Sequence, residues 1–97
     1  MKAEIDFKIY LTSEYLSEKT GMPYSLKVAC DILSRCRRIE QILEVELTRA
    51  SISNEKKYLA LRNQIKSHGD FCTEKLPYGY SQYIHALKAY YLFATSQ

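Results

Sequence analysis

The 97-residue chain has no tryptophan, only two histidines, and three cysteines that form no Cys-x-x-Cys pair. Cys30 and Cys36 fall on one predicted helix about 9 Å apart along its axis, beyond disulfide reach, so with Cys72 they are expected to be buried thiols of a reducing compartment. No uninterrupted apolar run is long enough for a membrane span, and the N-terminus lacks the apolar core of a signal peptide. A soluble, cytoplasmic protein without a membrane partner is therefore expected. A Walker loop, a dinucleotide fingerprint, a His-Glu-x-x-His motif and any grouping of carboxylates and imidazoles able to hold a metal are also missing. Chemistry carried by this chain is expected to need no metal and no cofactor.

What is present fits one small domain. A chain of this length buries roughly 60 to 68% of its unfolded surface, a modest core that dimerisation would help. Hydrophobic content of 46% and charged content of 26% are those of a globular protein. Nine tyrosines are many for this length; each combines a large apolar ring with a polar edge, which suits interfaces and base stacking. The net charge of +3 is unevenly placed: residues 1–50 balance eight basic against eight acidic side chains, whereas residues 51–97 carry six against three. An anionic partner would meet the second half, although a solvated helix face accounts for so small an excess equally well.

The hydrophobic pattern predicts an all-α fold, a small bundle with a long central helix over about 25–50. Residues 2–11 alternate apolar and charged, which reads as a strand, but no second clear strand is available to pair with it. A helix buried on two sides is the preferred reading, with a strand paired across a dimer as the alternative. Thr12 or Ser13 is expected to cap a short helix through Tyr15 and Leu16 that stops at Gly21-Met22-Pro23. Leu16, Ser17, Gly21 and Met22 also have the spacing of a helix-turn-helix, yet Lys27 stands where a recognition helix needs an apolar residue. Ser25 then opens the central helix, whose wide apolar stripe makes it the expected spine. Ser53 is expected to cap a third helix to about residue 68, with Tyr58, Leu61 and Ile65 inward, forming a hairpin with the second. The loop 69–80 carries Phe71, Tyr78 and Tyr80, and Ser81 is expected to cap a last helix rich in tyrosine.

Leu61 to Phe71 gathers an arginine, an asparagine and a histidine at a predicted helix end. A guanidinium holds two phosphate oxygens through its planar fork, and an imidazole moves a proton near neutral pH. Positions six apart on a helix do not share a face, but Gly69, expected as the left-handed residue that ends the helix, would let His68 swing back toward Arg62. Alternatively, each face meets a second copy of the chain. The plainer role of the same residues is a helix C-terminus at which His68 caps the last carbonyls and Arg62 is solvated.

Arg62-Asn63, four intervening residues and His68 resemble the RNxxxxH signature of HEPN domains, an all-helical family of metal-independent ribonucleases and nucleotide-binding modules. The resemblance covers some ten residues, and many family members have tyrosine where Asp70 stands. It implies a composite site in a homodimer, with Arg62 as phosphate and transition-state ligand, His68 as proton-transfer group and Asn63 orienting them. Lys66, Arg38, Tyr78 and Tyr80 are the candidate RNA-binding residues around that site. By the same resemblance the chain would be a toxin or defence ribonuclease, with a nucleotidyltransferase-type antitoxin as a protein partner. Two other functions fit the sequence: a non-enzymatic inhibitor or adaptor binding through its Tyr-rich C-terminal surface, and a DNA-binding helix-turn-helix. His85 is expected to be a partly buried structural histidine, with a second acid-base role as the alternative.

Overall fold

A computed structural model describes residues 3–17, 20–71 and 79–96. Four helices build it: α1 (Glu4–Ser13), α2 (Leu26–Leu43), α3 (Glu55–Ser67) and α4 (Gly79–Thr95), with single 3₁₀ turns at Ala50–Ile52 and Gly69–Phe71. Among the described residues there is no strand, so the all-α expectation holds.

The N-terminal alternation resolves as a helix because a helix pairs its own backbone groups whereas a lone strand leaves them unpaired. Phe7 and Leu11, four apart, face inward and are fully buried, but Ile5 and Ile9 remain 75% and 57% exposed. Burial on two sides is thus corrected to burial on one. Thr12 and Ser13 do not open a new helix. Their hydroxyls donate back to the Lys8 and Ile9 carbonyls and end α1. Residues 15–17 are irregular, and Gly21 turns the chain at φ +67°. The short helix expected through Tyr15 and Leu16 is therefore absent at residues 15–17. Tyr15 is instead a core residue, stacked on Tyr24 at 5.2 Å.

Ser25 caps α2 as expected, accepting from the Val28 amide. The helix then ends at Leu43, several residues short of the predicted Ala50. Glu44 takes the left-handed conformation (φ 54°, ψ 44°), and the Glu40 carboxylate accepts from the Leu47 amide at 2.8 Å, which turns Leu47 into the core. Asn54, rather than Ser53, caps α3 through the Lys57 amide. Tyr58, Leu61 and Ile65 form its buried row, as predicted.

α4 shares the centre of the bundle with α2, and each of the two touches all the other helices. Phe7 of α1 packs on Tyr90 and Phe93 with ring centroids 5.1 and 5.3 Å apart. Cys36 of α2 donates to the Ala86 carbonyl, and Tyr58 of α3 stacks on Tyr91 at 4.6 Å. The connection between α2 and α3 joins the same core, because the Tyr90 hydroxyl donates to the Leu47 carbonyl at 3.1 Å. α2 and α3 meet chiefly through α4 rather than as a direct hairpin. α4 also starts at Gly79, so Ser81 lies within it rather than capping it.

Candidate functional site at the end of α3

The inward row of α3 sets the position of every candidate beside it. Arg62 follows buried Leu61 and is half-buried, while Asn63 and Lys66 point to solvent. The Arg62 Nε is buried without a hydrogen-bond partner. A buried donor left unpaired costs about 1–3 kcal/mol, so this guanidinium is poised to gain from an acceptor.

His68 is the C-cap of α3 with extended backbone (φ −92°, ψ 120°), and its N–H reaches the Ile65 carbonyl at 3.4 Å. Gly69 does not occupy the left-handed region; it begins a 3₁₀ turn in which the Phe71 amide donates to the His68 carbonyl at 3.2 Å. The expected glycine cap is therefore replaced by an extended histidine and a tight turn. The His68 ring meets the edge of buried Phe71 at 5.8 Å, and Phe71 in turn meets Tyr83 at 4.9 Å. This aromatic path ties the motif's histidine to α4. No described contact joins Arg62 to His68 within the chain.

The other candidates disperse. Arg38 is exposed on α2, and half-buried Tyr80 packs against the core in the first turn of α4. Tyr78 lies outside the described residues. Of the aromatics expected in a binding loop, Phe71 is core and Tyr80 is an anchor. The cysteines divide: Cys36 is fully buried, with its thiol pushed up to about 12 chiefly by burial, whereas Cys30 is exposed, contrary to expectation. Cys72 lies outside the described residues.

A polar pair that local spacing did not reveal lies elsewhere. The Tyr24 hydroxyl and His85 Nε2 share a hydrogen bond of 2.8 Å, joining the α1–α2 connection to α4. His85 is exposed rather than partly buried. Only the presence of a second histidine pointed there, since the partners are 61 residues apart in sequence. Among the described residues no group of three His, Cys, Asp or Glu side chains is placed to hold a metal ion. No helix among them is long and apolar enough to cross a membrane. In comparisons with known proteins, no family model, no curated protein and no solved structure matches this chain.

Proposed function

We propose that this chain is a HEPN-like RNA-binding protein that cleaves its RNA without a metal ion, with Arg62, Asn63 and His68 as the site. The observation that carries this reading is the half-buried Arg62 guanidinium, whose buried Nε has no internal partner and sits one turn from Lys66 on a helix end. A phosphate oxygen supplies the missing acceptor, and Lys66 adds charge on the same side of the helix. His68 transfers the proton between the 2′-hydroxyl, the phosphate and the leaving oxygen, and Asn63 orients the substrate. Because no described contact joins Arg62 to His68, the reading takes a second copy of the chain to complete each site. A toxin or defence role with an antitoxin partner extends it by analogy.

The test is cleavage of a labelled RNA pool with EDTA present, with light scattering reporting the oligomer. Wild type is expected to cleave as a dimer. Arg62→Met, which removes the guanidinium without leaving an unpaired N–H, and His68→Ala are each expected to lower the rate at least about 100-fold while staying folded. An inactive, well-folded wild-type dimer would overturn the reading.

A non-enzymatic interaction module is supported by a different observation. Ile5 and Ile9 form an outward row on α1, and Met22 in the turn before α2 and Leu26 at its first position are 65% and 61% exposed. Apolar surface of this kind suits a protein partner. It lies at the N-terminal half of the fold rather than on the Tyr-rich C-terminal surface.

A further inference from the structure

Away from the end of α3, a cleft of about 360 Å³ opens where α1, the α2–α3 connection and the end of α4 meet. That volume is within the range of small-molecule sites. Its lining includes Asp6, Tyr10, Glu14, Arg49, Phe93 and Ser96. Two carboxylates thus stand against one guanidinium among these residues.

The backbone adds to the same sign of potential. Glu14 is the C-cap of α1, and Ser96 follows the last residue of α4, so the partly negative carboxyl ends of both helices converge on the cleft. Neither helix has a basic side chain in its last turn.

The walls are aromatic. The Tyr10 and Phe93 rings lie 5.5 Å apart at 50°, forming a corner. The Arg49 guanidinium already covers the Phe93 ring at 4.9 Å, and that ring is otherwise packed in the core, so the aromatic face left to a ligand is that of Tyr10. Tyr10 is half-buried and offers the more open ring. Burial first, and the Glu14 charge second, raise its phenol above the ordinary value, as befits a partly desolvated, negative environment.

We propose that this cleft binds a small organic ammonium ion, held between the Asp6 and Glu14 carboxylates and the Tyr10 ring that Phe93 backs. Carboxylates alone would suit a metal ion equally well, and rings alone a neutral apolar molecule. Their combination selects a cation with an apolar surface, whose weak hydration lets it exchange water for ring faces. The site is independent of the RNA-directed reading above.

The probe is choline, titrated into the intact chain while NMR follows the Tyr10 and Phe93 ring signals. Saturable shifts in the millimolar range are expected. The neutral isostere 3,3-dimethylbutan-1-ol is expected to bind about tenfold more weakly or not at all. The double variant Asp6→Asn/Glu14→Gln changes two exposed side chains, so the fold is expected to persist by circular dichroism while choline affinity falls about tenfold. Equal binding of choline and its isostere, unchanged affinity in the double variant, or no saturable shift in wild type would each overturn the proposal.

Discussion

The two described glycines whose surroundings are defined play opposite roles. Gly21 sits at φ +67°, where any side chain is strained, and Gly69 has ordinary backbone with nothing within 4 Å of the position a Cβ would take. Gly21→Ala is expected to destabilise the protein by about 1 kcal/mol. Gly69→Ala is expected to be neutral or to stabilise by up to about 1 kcal/mol, through the reduced freedom of the unfolded chain. Urea unfolding midpoints of the two variants check both. From sequence, Gly69 was the glycine that invited a left-handed cap, because it follows a helical pattern. Backbone conformation is set by what comes next, here a 3₁₀ turn that brings Phe71 into the core. At Arg62 the residue type was legible as a phosphate ligand, whereas its buried, unpartnered Nε follows from packing beside Leu61.

At the scale of elements, the existence of the helices was legible and several of their ends were not. The periodic stripe of α2 continues past Leu43, but the chain leaves the helix at Glu44 because Leu47 gains more from the core than from the helix surface. Leu47 is fully buried, and its amide and carbonyl are both satisfied, by Glu40 and by Tyr90. The left-handed backbone at Glu44 is the local cost. Glu44→Gly is therefore expected to stabilise the fold by about 0.5–1 kcal/mol, since glycine enters this region without a Cβ penalty. A higher urea midpoint with an unchanged slope would bear this out; a lower midpoint would mean that the exposed Glu44 side chain contributes more than its backbone costs. The motif at the end of α3 was legible as a helix terminus. That His68 turns its ring to Phe71 was not, because the contact depends on where α4 holds Phe71 through Tyr83.

At the scale of the molecule, Cys36 and Tyr90 place two titratable groups in one core against α4. Burial is the main cause that pushes the Cys36 thiol from 9.0 to about 12 and the Tyr90 phenol from 10.0 to about 12. Both raised values mean that the folded state keeps protons that the unfolded state releases first. Their stabilising contribution is fully present below pH 9 and is lost as the pH rises toward 12. The unfolding free energy is accordingly expected to fall steadily from about pH 9, by up to about 1.4 kcal/mol per pH unit for each group titrating, and thermal midpoints to fall with it. Tyr90→Phe is expected to flatten the decline above pH 10 and, by leaving the Leu47 carbonyl without its donor, to cost about 1–2 kcal/mol at neutral pH. A pH profile unchanged in Tyr90→Phe would show that the phenol does not report on folding. What the sequence by itself determined is the helical class, the inward row of α3 and the cap at Ser25, because these depend on periodicity and on hydrogen bonds within a few residues. The tertiary structure decided the rest. It brought α4 into the centre of the core beside α2, left Ile5 and Ile9 uncovered, ended α2 at Leu43 and paired Tyr24 with His85. Each of these outcomes turns on which distant surfaces meet, and burial against a partner far along the chain outweighs the fractions of a kcal/mol by which local propensity distinguishes one residue from the next.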